Sequence, residues 1–339
     1  MASATAASAT EACTDVELAA RDGPLVVPGG FGIGCWAWGD DKGVWGWNAY
    51  DKSLTMDSIS AAFNTSVASG VRLFDTAETY GDGLSEQIVG KLVREHPLRD
   101  EIMVATKFQP GKWKNSGLNV REAMLAAARE STQRLGIKQL ALFQIHAPLF
   151  PAPFDEQGHG LADVVEAGLA RAVGVSNFAI EELRPLHSAL AARGIPLASN
   201  QVELSILRQL PISSGLLDEC AGLGVKLLAY SPLAMGRLTG KYSAKNQPQG
   251  RRGFSAYPMR EIDPLVAKMR EIGARQGCTP AQVALAWTMA KGAIPIPGAK
   301  NDEQASENVG VTQCSLTRDE VMQLDRMGRE GGTSNWQHG

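Results

Sequence analysis

The sequence predicts an α/β fold in which a single (β/α)8 TIM barrel takes up nearly the whole chain. Three observations support this: short apolar runs alternate with amphipathic stretches, eight such runs occur, and no linker divides the 339 residues. Such alternation is typical of parallel strands joined by helices, and eight units in a chain of this length favour a closed barrel. We expect one domain over residues 29–330, a flexible N-terminal segment at 1–28 and a C-terminal tail at 331–339.

The eight predicted strands are short apolar runs bounded by glycine, proline or polar residues. In chain order they are Gly32–Cys35, Arg72–Asp75, Ile102–Lys107, Leu140–His146, Ala172–Ser176, Ala198–Glu203, Val225–Ser231 and Gly292–Gly298. The glycines of residues 29–34 lack the spacing of a dinucleotide-binding loop, so we interpret them as a β-turn that enters the first strand.

Helix starts are marked by capping boxes, in which two side chains three positions apart satisfy free N–H groups of the first turn. They pair Asn119 with Glu122, Thr279 with Gln282, and Thr317 with Glu320. A further helix is predicted over Pro264–Gly277. Two helices are therefore additional to the eightfold repeat: one of the two between strands seven and eight, and the terminal helix.

Long loops are expected at the C-terminal face of the barrel, where barrel enzymes keep their sites. The segment Ala234–Asp263 shows no periodicity, which indicates a functional lid or a disordered excursion. Loops also follow strands three and four, and a tryptophan-rich stretch follows strand one.

Composition excludes several classes of protein. The 33 Lys and Arg against 36 Asp and Glu give a net charge of −3, which supplies no excess of cations for nucleic acid. No apolar run reaches about 18 residues, so no membrane span is expected. The five cysteines are scattered, which indicates a reducing compartment and neither a disulfide framework nor a thiolate metal site. We expect a cytoplasmic protein, or a plastid one if the Ala/Ser/Thr-rich start is a transit sequence.

Four chemically distinctive side chains stand at or just beyond strand ends. Asp75 ends strand two with Tyr80 in the turn beyond, Lys107 ends strand three, and His146 ends strand four. Singly, each has an ordinary explanation, such as a turn cap, an exposed lysine or a hydrogen-bonded core histidine. Because barrel strands deliver their ends to one face, the four together predict an active site.

Carbonyl reduction needs this set of groups. The developing alkoxide must gain a proton, and tyrosine, with a pKa of about 10, becomes a better donor when an adjacent ammonium lowers that pKa. Lys107 can be that ammonium if Asp75 keeps it charged. A neutral His146 could donate a hydrogen bond to the substrate oxygen and fix its position.

The chain resembles the aldo-keto reductase superfamily, including its plant, plastid and microbial members, from about Gly29 to about Met327. The motifs are GIGCW, FDTAETYG, VATKF, the strand-four histidine, GVSNF, NQVELS, YSPLAMGRLTGKY and IPGAKNDEQASEN. The resemblance implies an NADPH-dependent reductase of aldehydes and ketones on a TIM barrel. It also implies that Asp75, Tyr80, Lys107 and His146 form the catalytic tetrad, with Tyr80 as the proton donor.

The resemblance further implies a set of residues that bind the cofactor. Those for the nicotinamide are Ser176, Asn177, Gln201 and Tyr230; those for the pyrophosphate are Ser231, Leu233, Gly236 and Arg237; those for the adenosine end are Gly298, Ala299, Lys300, Gln304, Glu307 and Asn308. Lys300 also precedes a predicted helix start, a place suited to a 2′-phosphate, although Asn301 and Gln304 there could equally be a plain capping box. Many relatives carry arginine where this chain has Gln304. The 2′-phosphate would therefore meet one fewer cation here, which weakens the expected preference for NADPH over NADH.

The substrate pocket is expected to draw on Trp36 and Trp113, with Trp45 and Trp47 either joining it or packing beneath the loop. The expected partner is a small-molecule carbonyl substrate bound by a monomer or weak homo-oligomer. Two other functions stay open: a cofactor-binding regulatory subunit with little turnover, and a Schiff-base aldolase at Lys107.

Overall fold

The computed structural model describes residues 14–39, 54–248, 257–332 and 337–339. Its strands are β1 (Val16–Leu18), β2 (Leu25–Val27), β3 (Gly32–Gly34), β4 (Leu73–Asp75), β5 (Met103–Phe108), β6 (Leu140–Ile145), β7 (Ala170–Ser176), β8 (Leu197–Glu203), β9 (Lys226–Tyr230) and β10 (Ile294–Pro295). Its α-helices are α1 (Met56–Ala68), α2 (Leu84–Glu95), α3 (Pro110–Ser116), α4 (Val120–Leu135), α5 (Phe154–Glu166), α6 (Ile180–Ala191), α7 (Leu210–Ser213), α8 (Leu216–Gly222), α9 (Met259–Ala274), α10 (Pro280–Ala290), α11 (Asp302–Val309) and α12 (Arg318–Met327).

Strands β3 to β10 form one parallel sheet in chain order. The two ends of this sheet meet, because Gly34 forms a parallel bridge with Gly298 and its backbone N donates to the Pro297 carbonyl oxygen at 3.0 Å. A parallel sheet closed in this way, with helices between successive strands, is the predicted (β/α)8 barrel.

The hairpin β1–β2 covers one end of the barrel interior. Leu18, Leu25 and Val27 are buried in one cluster with Leu73, Leu142 and other side chains near the starts of the barrel strands. The expectation of a flexible segment is therefore wrong for residues 16–27. Each hairpin strand is only three residues long, and its alternating apolar side chains gain a surface to pack on only once the barrel exists.

The helices cover the outside of the sheet and begin largely where the sequence predicts. Asn119, Thr279 and Thr317 each accept from the backbone N of the third helical residue, in the three predicted capping boxes. Helix α9 begins at Met259 rather than at Pro264, which lies inside it.

Two features of the loops complete the scaffold. The long segment after β9 opens with a 3-10 helix at Ala234–Thr239, and its residues 249–256 lie outside the described ranges. None of the helices in the described ranges has the length and apolar character needed to cross a membrane.

Candidate active site

The structure brings the four predicted catalytic side chains together at the C-terminal ends of β4, β5 and β6. Lys107 Nζ lies 2.6 Å from Asp75 Oδ2 and 3.2 Å from Tyr80 Oη. The rings of Tyr80 and His146 meet edge to face, with 5.7 Å between their centroids. Lysine and histidine thus approach the phenol from different strands.

Asp75 and Lys107 form a fully hydrogen-bonded buried ion pair. Lys107 Nζ also donates to the Thr76 carbonyl oxygen at 2.8 Å, and Asp75 Oδ1 accepts from Gln201 Nε2 at 2.9 Å and from Gln144 Nε2 at 3.3 Å. Burial by itself lowers the pKa of Lys107, but the Asp75 carboxylate and the Tyr80 hydroxyl outweigh it and leave this pKa above its usual value. The lysine therefore stays charged.

The pKa of Tyr80 is raised, whereas the sequence predicts a lowered one. Burial of the phenol raises it, and the opposing attraction of Lys107 for the phenolate is the smaller effect. Tyr80 is therefore a neutral phenol near pH 7, a state in which its hydroxyl has a proton to donate.

His146 is neutral, which agrees with the predicted role of its imidazole as a hydrogen-bond donor to the substrate oxygen. Burial and the nearby Lys107 ammonium hold its pKa well below the usual value. Its backbone is fixed on both sides, because its N donates to the Phe108 carbonyl oxygen at 2.8 Å and its carbonyl oxygen accepts from Asn177 Nδ2 at 3.1 Å. Its Nδ1 is buried without a hydrogen-bond partner among the described residues, so it is a polar atom that a bound molecule could satisfy.

A second buried cluster supports the turn that carries Tyr80. Glu78 Oε1 accepts from the Gln109 backbone N at 2.7 Å, and Glu86 Oε1 accepts from Thr106 Oγ1 at 2.6 Å. Arg134 pairs with Glu86 and lies 3.9 Å from Glu78. Sequence reasoning gave these carboxylates no role, although Glu78 stands inside the motif FDTAETYG.

The residues predicted at the nicotinamide are linked by hydrogen bonds. Tyr230 Oη donates to Asn177 Oδ1 at 3.0 Å, Asn177 Nδ2 donates to Ser176 Oγ at 3.1 Å, and Ser176 Oγ donates to the Gln201 carbonyl oxygen at 2.7 Å. Asn177 has a φ of 62°, a left-handed conformation that asparagine tolerates better than most residues. This group joins the tetrad through the bond from Gln201 to Asp75.

Two contributions near this group were missed from the sequence. Gln337, which the sequence places in a plain C-terminal tail, is buried and donates through Nε2 to Tyr230 Oη at 2.6 Å. Glu203 is a buried carboxylate at the end of β8 that accepts from the same Gln337 nitrogen at 2.9 Å. The sequence signals for Glu203 are its place at a strand end and inside the motif NQVELS.

The loop after β9, predicted to lie along the pyrophosphate, has an unusual backbone. Ser231, Ala234, Met235 and Gly236 have φ values of 50°, 48°, 55° and 87°. Leu233 lies between Ser231 and Ala234, and Arg237 follows Gly236 with its side chain buried. Left-handed residues in succession create concave surfaces of N–H groups that suit anions, and such strain is concentrated at functional sites. Sequence reasoning missed Lys241, whose Nζ lies 3.3 Å from where a Cβ on Gly236 would stand.

The residues predicted at the adenosine end form a fixed unit around the start of α11. Asn301 caps the helix by accepting from Gln304 N at 2.9 Å, and Gln304 Oε1 accepts from Lys300 N at 3.1 Å. Asn308 Nδ2 donates to the Gly298 carbonyl oxygen at 3.2 Å, and Ala299 is buried beside them. Partial burial lowers the pKa of Lys300. Asn301 is therefore a helix cap, as one of the two interpretations of the sequence predicts, and Lys300 directly precedes it. Glu307 lies half-buried on the same helix.

The predicted pocket tryptophans lie beyond strand ends. Trp36 follows β3, Trp113 lies on α3 after β5, and both are half-buried. Trp45 and Trp47 lie outside the described residues, as does the segment around them.

The model of the aldo/keto reductase family matches residues 31–329 of the chain. The chain belongs to the aldo/keto reductase family. It is 39% identical over 330 residues to the protein named "Pyridoxal reductase, chloroplastic" of Arabidopsis thaliana, covering 92% of this chain and 86% of that relative. It is 28% identical over 311 residues to L-glyceraldehyde 3-phosphate reductase of Escherichia coli K12, covering 86% and 89% of the two chains.

Solved structures agree with this aldo/keto reductase assignment. The crystal structure of an aldo/keto reductase from Klebsiella pneumoniae in complex with NADP and acetate is 25% identical, with a TM-score of 0.70 over 92% of this chain and 95% of that chain. The family, the barrel and the oxidoreductase class that the sequence predicts are therefore confirmed.

Proposed function

We propose that this aldo/keto reductase transfers hydride from NADPH to the carbonyl carbon of an aldehyde or ketone, reversibly, with Tyr80 as the proton donor. The observation that carries the proposal is the contact of 3.2 Å between Tyr80 Oη and the ammonium of a buried Lys107–Asp75 pair. A neutral phenol, a fixed cation and a neutral imidazole are the groups that carbonyl reduction requires.

The side chains divide the work of the reaction. Tyr80 Oη donates its proton to the oxygen that becomes the alcohol, and Lys107 stabilises the resulting phenolate in a site with little water. Asp75 keeps Lys107 charged and oriented through the contact of 2.6 Å. His146, held neutral by burial, donates a hydrogen bond that positions the carbonyl oxygen.

The residues present fit NADPH. When bound, the cofactor supplies the hydride; Ser176, Asn177, Gln201 and Tyr230 would hold its nicotinamide. The loop from Ser231 through Leu233 to Gly236, with Arg237 and Lys241 beside it, would hold its pyrophosphate. NADP or NADPH occupies relatives of this fold from Klebsiella pneumoniae, which supports the same cofactor here.

Pyridoxal is the substrate we propose to test first, because the Arabidopsis relative is named a pyridoxal reductase. Trp36 and Trp113, half-buried beyond β3 and β5, would provide flat apolar surface for an aromatic aldehyde of that kind.

The decisive experiment replaces Tyr80 by phenylalanine, which keeps the ring and removes the proton. We expect kcat for NADPH-dependent reduction of pyridoxal and of 4-nitrobenzaldehyde to fall by about 10²–10⁴-fold. The dissociation constant for NADP+, followed by fluorescence titration, should change little. An equal loss of turnover and of cofactor binding would remove Tyr80 from the proposed role.

The aldolase alternative is disfavoured by the state of Lys107. A Schiff base forms from a neutral amine, and this lysine is buried against a carboxylate with a raised pKa. Borohydride trapping of a carbonyl compound on Lys107 would reverse this judgement.

A regulatory subunit with little turnover would keep the same tetrad, so the geometry alone does not distinguish it from an enzyme. Rapid oxidation of NADPH with 4-nitrobenzaldehyde supports the reductase. Tight retention of NADPH with negligible turnover supports the regulatory alternative.

We infer a plastid location from the Ala/Ser/Thr-rich start and the chloroplastic relative. The full chain fused at its C-terminus to a fluorescent protein should enter plastids; fluorescence that stays in the cytoplasm would restore the cytoplasmic assignment.

A further inference from the structure

The segment 337–339 lies against two residues that the proposed function assigns to the nicotinamide. Gln337 is 2% exposed, and its Nε2 donates to Tyr230 Oη at 2.6 Å. The next residue, His338, donates its backbone N to the Asn177 carbonyl oxygen at 3.2 Å. Its ring Nδ1 lies 2.6 Å from Glu182 Oε1. The segment therefore touches the end of β9, the residue after β7 and helix α6.

A buried arginine anchors this segment. Arg208 is 1% exposed, its Nη2 donates to the Gly339 carbonyl oxygen at 3.0 Å, and its Nη1 donates to the Gly332 carbonyl oxygen at 2.5 Å. Its Nε lies 3.5 Å from Glu203 Oε2, so the buried charge is paired. The fit is tight, because a Cβ on Gly339 would come within 2.8 Å of the Phe178 carbonyl oxygen.

The hydrogen bonds from Gln337 have a fixed direction. The amide nitrogen of glutamine carries two protons, and here one goes to Glu203 Oε2 at 2.9 Å and the other to Tyr230 Oη. Tyr230 must then use its own proton for Asn177 Oδ1 at 3.0 Å. Asn177 Nδ2 in turn donates to Ser176 Oγ and to the His146 carbonyl oxygen, both at 3.1 Å. Each group fixes the orientation of the next.

We propose that Gln337 is a positioning residue for the nicotinamide site and that it acts through the hydroxyl of Tyr230. This inference rests on the proposed function, which gives Tyr230 and Asn177 their task. With its hydroxyl held between Gln337 and Asn177, the Tyr230 ring has one orientation in which to stack on a nicotinamide. Without Gln337, the ring and the Asn177 amide gain freedom that cofactor binding must remove.

The first test compares Gln337→Ala with Gln139→Ala in the full chain. Gln139→Ala is a control for the loss of a glutamine amide hydrogen bond far from the site, because Gln139 Nε2 donates to the Gly168 carbonyl oxygen at 2.9 Å at the opposite end of the barrel. We expect the dissociation constant for NADP+, measured by fluorescence titration without substrate, to rise by about tenfold for Gln337→Ala. Gln139→Ala should bind NADP+ as the wild type does. Gln337→Met keeps the side-chain length and replaces the alanine variant if that variant unfolds.

The second test asks whether Gln337 acts through Tyr230. In a Tyr230→Phe background, Gln337→Ala should add little further loss of NADP+ affinity, since the hydroxyl it holds is gone. The same fold-loss in both backgrounds, or unchanged affinity in Gln337→Ala, would overturn the inference and leave the proposed function standing. A wild type that binds no NADP(H) would overturn both.

Discussion

At the scale of single residues, the carboxylate of Asp75 connects the catalytic and cofactor-binding parts of the site. One oxygen holds Lys107, and the other accepts from Gln144 and Gln201. The sequence predicts Asp75 and Lys107 because charged residues at barrel strand ends are conspicuous. It gives no sign of Gln144, because a glutamine within a strand has the same pattern whether it bonds a carboxylate or packs in a core.

His146 makes a prediction about stability against pH. Its folded-state pKa lies well below the usual value of about 6.5. As pH falls through about 6.5, His146 binds a proton in the unfolded chain but stays neutral in the folded chain. The unfolding free energy therefore decreases as the pH is lowered below about 6.5. Between about pH 7.5 and about pH 5.5, wild type should lose about 1 kcal/mol more unfolding free energy than His146→Gln.

Urea denaturation of both proteins at the two pH values measures this difference. The two proteins differ only at residue 146, so the effects of every other group cancel in the comparison. An equal loss of stability in wild type and variant would mean that His146 takes up its proton in the folded state as readily as in the unfolded state.

At the scale of elements, the sequence predicts all eight barrel strands, and it predicts helix starts best where a capping box marks them. The capping boxes at Asn119, Thr279 and Thr317 form as expected because each depends only on residues three positions apart. The hairpin of β1 and β2 was missed because its stability comes from the barrel interior, far away in sequence. The predicted start of helix α9 at Pro264 is five residues too late. Proline is commonest in a first turn, which suggested that start, but here it lies inside the helix.

The capping box of α4 supports a prediction at the scale of elements. Asn119 Oδ1 accepts from Glu122 N at 3.0 Å, and Glu122 Oε2 accepts from Asn119 N at 3.3 Å. Asn119→Ala should lower the free energy of unfolding by about 1 kcal/mol, because it leaves N–H groups of the first turn without an acceptor. The box lies outside the tetrad, so kcat should stay unchanged. Asn119→Asp keeps an acceptor and should retain most of the stability; equal losses in the two variants would show that the cap contributes nothing.

At the scale of the whole molecule, the site exists because the barrel closes. The closing seam runs between β3 and the residues after β10, which also contribute Gly298 and Lys300 to the proposed cofactor site. The sequence predicts eight strands and one domain. For the glycines of residues 29–34 it predicts a β-turn and gives no sign that Gly34 lies where the sheet closes. Their role at the seam depends on how near the first and last strands approach, which is a property of the closed barrel and not of any local segment.

Gly34 and Gly298 face each other across this seam and test it as a pair. A Cβ on Gly34 would lie 2.8 Å from the Ile296 carbonyl oxygen, a backbone atom that cannot move aside without opening the seam. On Gly298 a Cβ would have its nearest neighbour, the Gly34 carbonyl oxygen, at 3.7 Å, an ordinary contact. Gly34→Ala should therefore lower the unfolding free energy by about 1–3 kcal/mol, and Gly298→Ala by less than about 1 kcal/mol. Thermal and urea denaturation of both variants measure this; if the two lose stability equally, the first and last strands do not approach as closely as the backbone hydrogen bond from Gly34 to Pro297 requires.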